Sequence, residues 1–279
     1  MVNYNGTLYE GSQLLSLNNR GFAYGDAVFE TIKVVQGTTM FWEDHYFRLM
    51  ASMRILRMEI PMEFTMEFLE SEILKTIQAN GLQERTVRVR LNVFRDSDGL
   101  YTPTTNDVAY TITVKPLEQK AYGETTQPYR MDIFKDFPIT SGLLSTLKTN
   151  NRVINVVGSI YAQENDLQNC ILLNTNKQVV ESLNGNLFLV EGNTLKTPPI
   201  LDGCIKGIMR KQVIEIIKGI EDLNIQEVSI SPFELQQADE LFITNAIIGI
   251  QSITHYRKKT FNNVITSRIL EAINSKLPA

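Results

Sequence analysis

Lysine, arginine and glutamate carry most of the chemistry that this sequence can perform. Histidine is nearly absent, because His45 and His255 are the only two in 279 residues and neither belongs to a His-Glu-x-x-His arrangement. A three-histidine metal site is therefore excluded, and we predict no metal. Catalysis must depend on lysine, arginine, carboxylates, tyrosine or a bound cofactor.

Six segments concentrate such residues. They read Asn-Arg-Gly-Phe-Ala-Tyr-Gly-Asp-Ala-Val-Phe-Glu-Thr at 19–31, His-Tyr-Phe-Arg-Leu at 45–49, Leu-Lys-Thr-Asn-Asn-Arg at 147–152, Glu-Ser-Leu-Asn-Gly-Asn-Leu-Phe at 181–188, Gly-Cys-Ile-Lys-Gly-Ile-Met-Arg at 203–210 and Ala-Asp-Glu-Leu-Phe-Ile-Thr-Asn-Ala at 238–246. A lysine in a dry or cationic pocket has a lowered pKa and can attack a carbonyl group. An arginine fork and the amides at a helix start can bind phosphate.

The order and spacing of these segments resemble the class IV aminotransferases, the pyridoxal 5′-phosphate enzymes of fold-type IV. The resemblance runs from about Asn19 to Thr254. It implies that Lys148 is the catalytic lysine that forms the Schiff base, that Arg48 binds the cofactor phosphate and that Glu181 meets the pyridine nitrogen. It further implies cofactor contacts from these residues: Gly207, Ile208, Met209, Thr244 and Asn245.

Within this family, the sequences of several motifs are most similar to those of the 4-amino-4-deoxychorismate lyases. Residues 147–152, 207–210 and 242–246 carry this similarity. It implies cleavage of 4-amino-4-deoxychorismate to 4-aminobenzoate and pyruvate in the folate pathway. The doubly anionic amino substrate needs cations, for which Arg88, Arg90, Arg95 and Arg152 are candidates. The predicted substrate-binding residues are Tyr24, Arg95, Tyr101 and Arg152.

Other interpretations stay open at this stage. An aminotransferase for branched-chain or D-amino acids with 2-oxoglutarate would use the same core motifs, and a non-catalytic protein could retain the fold. Arg48 could instead form a surface ion pair with Asp44, four residues earlier on a predicted helix. Glu181 could be an exposed strand residue, and Gly207 could mark only a helix terminus. His45 is predicted to be a structural hydrogen bonder.

Composition describes an ordinary globular protein. The chain is 43% hydrophobic and 21% charged, with a net charge of −4, so it lacks the positive charge that attracts nucleic acid. Cys170 and Cys204 are too few for a disulfide framework. No apolar run reaches about 18 residues and no signal peptide is apparent, so we expect a cytoplasmic protein without membrane or nucleic-acid partners.

Hydrophobic periodicity and glycine turns predict a mixed α/β class of the α+β type. Asn5-Gly6 and Gln36-Gly37 are predicted to be hairpin turns. Strands are predicted at 28–35, 38–42, 86–95, 108–114, 129–134, 170–174, 179–183, 186–190, 228–230 and 240–244, and helices at 44–57, 62–80, 151–164, 207–218 and 263–277.

Two domains are predicted from the polar stretch between Pro116 and Pro128. They are a small N-terminal α/β domain at 1–117, a linker at 118–128 and a larger C-terminal domain at 129–279 that contains Lys148. The family resemblance implies a barrel-like sheet in the larger domain, the cofactor between the domains, and a homodimer.

Overall fold

The structure, a computed structural model, describes residues 1–11, 15–123 and 127–278. Its contacts divide the chain into two units. The first comprises Met1–Lys120, Lys148–Asn151 and Leu277–Ala279, and the second comprises Ala121–Leu147 and Arg152–Lys276. Residues 124–126 of the predicted linker lie outside the described residues, and the predicted domain boundaries stay a prediction. The segment with Lys148 groups with the first unit, although the chain on both sides of it belongs to the second.

The first unit is built on one six-stranded antiparallel sheet with the order β2-β1-β6-β5-β3-β4. Its elements are β1 (Val2–Tyr4), β2 (Thr7–Tyr9), α1 (Arg20–Ala23), β3 (Ala27–Val35), β4 (Thr38–Thr39), α2 (Trp42–Ile55), α3 (Met66–Ala79), β5 (Thr86–Arg95) and β6 (Val108–Pro116).

Helices α2 and α3 pack on one face of this sheet, because apolar and polar side chains alternate along its strands. Val87, Val89, Leu91 and Val93 of β5 are buried in one core with apolar residues of both helices. The alternate residues of β5, from Arg88 to Asn92, are polar and lie on the opposite face. The sheet thus has one apolar face and one polar face.

A short segment from far along the chain extends the edge of this sheet. Strand β4 pairs only with the last two residues of β3, so the first half of β3 lacks a neighbour on that side. There the Phe29 amide donates to the Lys148 carbonyl at 2.9 Å, and the Asn150 amide donates to the Ala27 carbonyl at 3.0 Å. Residues 148–150 therefore lie along β3, antiparallel to it.

The second unit contains two five-stranded sheets, ordered β12-β11-β10-β13-β14 and β16-β15-β7-β8-β9. Its elements are β7 (Arg130–Ile139), α4 (Val153–Glu164), β8 (Asn169–Asn174), β9 (Val179–Ser182), β10 (Asn186–Glu191), β11 (Thr194–Thr197), α5 (Ile208–Lys218), β12 (Asn224–Glu227), α6 (Glu234–Gln237), β13 (Glu240–Asn245), β14 (Gly249–Ile253), β15 (His255–Tyr256), β16 (Lys259–Thr260) and α7 (Val264–Asn274). Apolar side chains of both sheets share one buried core.

The predicted α+β class is confirmed, and most predicted elements are present with ends shifted by a few residues. Both predicted hairpin turns are confirmed, since Asn5, Gly6, Gln36 and Gly37 all have positive φ. The strand predicted at 38–42 is wrong beyond Thr39, because the chain turns left-handed before Trp42 begins a helix. The strand predicted at 228–230 is also wrong, because the ladder with β11 uses 224–227 instead.

Candidate active site

Glu30 is a buried carboxylate at the centre of a charged cluster in the first unit. It lies on β3, a strand of mostly apolar residues, and is 1% exposed. Arg48 of α2 binds it through both sides of its fork, with Nε at 2.8 Å from Oε1 and Nη2 at 2.5 Å from Oε2. His45, one helical turn earlier, places Nδ1 at 2.6 Å from Oε2. Arg48 is therefore held in the interior by a bidentate pair.

Electrostatics keep this cluster as a carboxylate, a guanidinium and a neutral imidazole. Burial acts to raise the pKa of Glu30, but Arg48 and the hydrogen bond with His45 outweigh it and lower the pKa to about 2. Burial lowers the pKa of His45 against the opposing effect of Glu30. A neutral His45 then donates its Nδ1 proton to Glu30. Its buried Nε2 has no partner among the described residues.

Lys148 lies beside the aromatic ring of Phe29, which is a residue of β3. The Nζ of Lys148 is 4.6 Å from the centre of this ring, and the guanidinium carbon of Arg90 is 4.0 Å from the same centre. Lys148 is half-buried, and the two sheet hydrogen bonds of residues 148 and 150 fix its backbone. Both cations therefore contact one aromatic ring, which holds the Lys148 amine beside β3.

Glu181 in the second unit is buried, not an exposed strand residue. It lies near the end of β9, is 5% exposed, and accepts a hydrogen bond from the Ile205 amide at 2.9 Å through Oε2. Asn186 of β10 donates to the same oxygen at 3.4 Å and to the Ile205 carbonyl at 2.9 Å. These amide donors fix the orientation of the carboxylate, as a partner for a pyridine nitrogen requires.

Helix α5 begins at Ile208 without a side-chain cap, because Gly207 occupies the N-cap position. The first amides of a helix have no partner within the helix and point at whatever lies before it. Thr244 of β13 has a buried hydroxyl without a partner in the described part of the chain, and Asn245 donates to the Asn184 carbonyl. Uncapped amides, an unsatisfied hydroxyl and a buried carboxylate suit a phosphorylated pyridine.

Gly207 has no room for a side chain, which gives a first prediction. A Cβ at this position would lie 2.0 Å from Oδ1 of Asn186. We expect Gly207→Ala to displace Asn186 from Glu181, to destabilise the fold by about 1–3 kcal/mol and to weaken cofactor binding. Chemical denaturation and cofactor titration measure both effects.

The matched control is Gly219→Ala at the other end of α5. A Cβ there meets its nearest atom, the Ile216 carbonyl oxygen, at 3.4 Å, an ordinary contact. We expect the control to keep wild-type cofactor affinity. Equal affinities of Gly207→Ala and wild type would show that the close approach at Asn186 is not needed for binding.

The predicted substrate residues fall into different environments. Tyr24 and Tyr101 are brought together, with ring centres 5.7 Å apart. Arg152 donates through Nη2 to the Leu147 carbonyl at 2.5 Å, next to Lys148 in the chain. Arg95 is 6% exposed, and its guanidinium donates to Asp26, Asn106 and the Leu56 and Arg57 carbonyls. That environment favours a structural role for Arg95, because four of its N–H donors are already used.

Sequence reasoning did not single out Glu30 or Asn186. A signal for Glu30 was present, since a carboxylate inside an otherwise apolar strand is rarely buried without a partner. The partners Arg48 and His45 lie on α2, 18 and 15 residues after Glu30 in the sequence. The prediction that His45 makes a structural hydrogen bond is confirmed by its contact with Glu30. The signal for Asn186 was weaker, because its shorter hydrogen bond is with the Ile205 carbonyl, 19 residues away in sequence.

The described residues (1–11, 15–123 and 127–278) contain neither a candidate metal cluster nor a helix suited to crossing a membrane. No group of three or more histidine, cysteine, aspartate or glutamate side chains there is arranged to hold a metal ion. No helix there has the length and apolar character that a membrane crossing requires.

Comparisons with known proteins agree on one family. The model of the family described as amino-transferase class IV matches residues 27–256. The chain is 28% identical over 269 residues to a protein of Methanocaldococcus jannaschii assigned as a branched-chain-amino-acid aminotransferase, covering 94% of this chain and 89% of the relative. It is 24% identical over 241 residues to aminodeoxychorismate lyase of Vibrio harveyi, covering 85% and 86%. The crystal structure of 4-amino-4-deoxychorismate lyase from Pseudomonas aeruginosa matches with a TM-score of 0.84 and 25% identity over 99% of each chain.

Proposed function

The chain belongs to the class IV aminotransferase family of pyridoxal-phosphate enzymes, and from that membership we propose that it cleaves 4-amino-4-deoxychorismate into 4-aminobenzoate and pyruvate. The observation that carries the proposal is the segment 147–152. Its sequence resembles that of the lyases, and its backbone is fixed along β3 at Lys148 and Asn150. The motif sequences at 207–210 and 242–246 also resemble those of the lyases and support the same choice.

The residues that would hold the cofactor follow from the environments above. Lys148 would bind it covalently, and Arg48 together with the amides of Gly207, Ile208 and Met209 would bind its phosphate. Glu181, oriented by the Ile205 amide, would bind the ring nitrogen. The bound cofactor supplies an electron sink for a carbanion on the substrate.

Lys148 would also act as the base of the reaction. Its Nζ then takes the proton from the substrate carbon that bears the nitrogen. The electron pair released there breaks the carbon–oxygen bond to the three-carbon side chain, which leaves as enolpyruvate. The ring becomes aromatic, and the proton returned to the enol gives pyruvate. Substrate and products balance in atoms, so no second substrate is required.

An aminotransferase is the second candidate, and the 28% identity to the Methanocaldococcus jannaschii protein favours it. Its substrates would be branched-chain or D-amino acids with 2-oxoglutarate. It differs from the lyase in the bonds that change, because Lys148 would move the proton without any carbon–oxygen bond breaking and the substrate would lose its amino group. The two candidates therefore differ in a half-reaction.

We expect the holoenzyme to cleave aminodeoxychorismate without any oxo acid. The measurement is an absorption spectrum recorded during addition of L-leucine, D-alanine and then aminodeoxychorismate. For a lyase, the visible cofactor band persists with both amino acids, and 4-aminobenzoate forms only with the last addition. Each turnover restores lysine-bound cofactor, so the product should exceed the enzyme many times over.

The opposite outcome is equally clear. Bleaching of the visible band by L-leucine or D-alanine, with 2-oxoglutarate restoring it and no 4-aminobenzoate formed, would assign the protein as an aminotransferase. A lactate dehydrogenase assay provides an independent readout, because the lyase alone releases pyruvate from aminodeoxychorismate.

A further inference from the structure

The loop at residues 96–107, which joins β5 to β6, has an exposed apolar tip. Leu100 and Tyr101 at this tip are 77% and 88% exposed. The loop is nevertheless closed at its base, where the Asp96 amide donates to the Asp107 carbonyl at 2.9 Å. A large apolar tip on a closed loop indicates a contact surface with a fixed shape, because a surface that is already ordered binds at a lower cost in entropy.

A single buried arginine holds this tip. Arg20 of α1 is 4% exposed. Its Nη1 donates to the Gly99 and Leu100 carbonyls at 3.0 and 2.5 Å, and its Nη2 donates to the Tyr101 carbonyl at 3.2 Å. Hydrogen bonds from a charged donor are the stronger kind. Three consecutive carbonyls of the loop are therefore fixed by one guanidinium.

Asp26 orients this guanidinium and connects it to the base of the loop. Its Oδ2 accepts from Nε of Arg20 at 3.0 Å and from Nε of Arg95 at 2.9 Å. Arg95 also donates through Nη1 to Asn106 at 2.6 Å, one residue before the loop closes. A buried guanidinium needs such a counterion. Asp26 therefore links the two ends of the support through two arginines.

Arg20 also contacts the second tyrosine of this region. Its guanidinium carbon lies 5.0 Å from the ring centre of Tyr24, and the Tyr24 ring lies 5.7 Å from that of Tyr101. The Tyr24 amide donates to the Arg20 carbonyl at 2.8 Å. One arginine thus fixes the backbone of Tyr101 and the ring of Tyr24, which are both predicted substrate-binding residues.

We propose that Arg20 is a positioning residue that holds Tyr24 and Tyr101 as a preorganised aromatic pair for the ring of the substrate. Arg20 is buried and acts through the two tyrosines, not by contact with the substrate. An aromatic pair suits an unsaturated six-membered ring, because such rings pack by stacking and by edge-to-face contact. This inference rests on the proposed function for the identity of that ring.

The first test separates substrate affinity from turnover. Arg20→Lys keeps the positive charge beside Asp26, but an ammonium group cannot reach three carbonyls as the arginine fork does. We expect Arg20→Lys to raise the KM for aminodeoxychorismate about tenfold and to keep kcat within about twofold of wild type. The visible cofactor band should keep its position. A merely structural role would lower the thermal midpoint and leave KM unchanged.

Chymotrypsin provides a readout that does not depend on catalysis. Cleavage after Tyr101 requires the backbone of the tip to leave its place in the fold. We expect this cleavage to be about tenfold faster in Arg20→Lys holoenzyme than in wild type. The matched control is Arg85→Lys, the same substitution at an exposed arginine that precedes β5. It should keep the KM and the cleavage rate of wild type.

A double variant tests whether Arg20 acts through the loop. Tyr101→Ala should raise KM by itself, because it removes one ring of the pair. Adding Arg20→Lys to Tyr101→Ala should then change KM by less than about twofold, since the residue that Arg20 positions is already gone.

Gly99→Ala is a second variant that leaves Arg20 intact, for use if Arg20→Lys does not fold. Gly99 has a φ of +96°, and a Cβ there would lie 2.4 Å from the Thr102 carbonyl oxygen, so the tip must shift. We expect the same rise in KM. An unchanged KM, a fall in kcat as large as the rise in KM, or fully additive effects with Tyr101→Ala would each overturn the proposal. If wild type forms no 4-aminobenzoate, the lyase assignment fails by itself, and the KM for the amino acid that the enzyme accepts then decides the proposal.

Discussion

Replacing Lys148 by alanine is expected to remove the visible absorption band of the bound cofactor and to lower turnover by at least about a thousandfold. The lysine provides both the covalent attachment and the base, so its loss affects two steps. The fold should survive, because the segment is held by backbone hydrogen bonds between Lys148 and Phe29 and between Asn150 and Ala27. Absorption and circular dichroism spectra of the purified variant check both expectations.

Lys135→Ala is the matched control for this experiment. Lys135 is exposed on β7, and its removal should change neither spectrum nor rate. Activity at the wild-type level in Lys148→Ala would show that another amine bears the cofactor. Partial recovery of turnover by added methylamine would support a proton-transfer role for the missing side chain.

Replacing Glu30 by glutamine is expected to lower the free energy of unfolding by about 3–5 kcal/mol. The substitution leaves the Arg48 guanidinium, 11% exposed, without its bidentate carboxylate. It also leaves a single neutral amide oxygen as the acceptor for both Arg48 and His45, and His45 is fully buried. The phosphate affinity contributed by Arg48 should fall as well, because Glu30 fixes the orientation of its fork. Urea denaturation measures the stability, and cofactor titration measures the affinity.

The pH dependence of this stability has a definite sign. The pKa of Glu30 falls from an ordinary 4.5 to about 2 in the folded protein. The contribution of Glu30 to the free energy of unfolding is therefore complete above about pH 4.5 and is lost as the pH falls towards about 2. The lowered pKa of His45 acts in the same direction, from pH 6.5 downwards. We expect the stability difference between wild type and Glu30→Gln to shrink through the acid range.

Glu191→Gln provides the comparison for an exposed ion pair. Glu191 binds Lys196 at 2.8 Å, but its side chain is 36% exposed, so solvent screens the interaction. We expect a loss below about 1 kcal/mol. A similarly small loss for Glu30→Gln would mean that Arg48 and His45 find other acceptors, such as water or a second anion, in place of the buried carboxylate.

Local patterns predicted the first unit well where one face of an element is buried. Strand β5 has the bounds 86–95 that alternation indicates, because every second residue enters one core. The end of α2 was less predictable. It closes at Ile55 because Arg57 adopts a left-handed conformation, which the residue type does not signal. Likewise α3 begins at Met66 because the Thr65 hydroxyl caps it.

Long-range arrangement accounts for the rest. The residue types of Arg48 and Glu181 indicate possible ligands, but the Glu30 and Ile205 contacts depend on how strands and helices pack. Only the register of β3 and β5 shows that Lys33 lies directly opposite Arg88. Arg95 illustrates a further case, since it is buried and donates to Asp26, an environment that favours a structural role.

The strand-like segment at residues 148–150 has a consequence for protein synthesis. The first unit's sheet is encoded before residue 121, yet among the described residues it is this later segment that covers the edge of β3 at Ala27–Phe29. During translation the edge therefore stays open until about 30 further residues have left the ribosome, and open sheet edges promote aggregation. A fragment ending at Lys120 should retain this hazard permanently, whereas one extended beyond Asn151 carries its own cover.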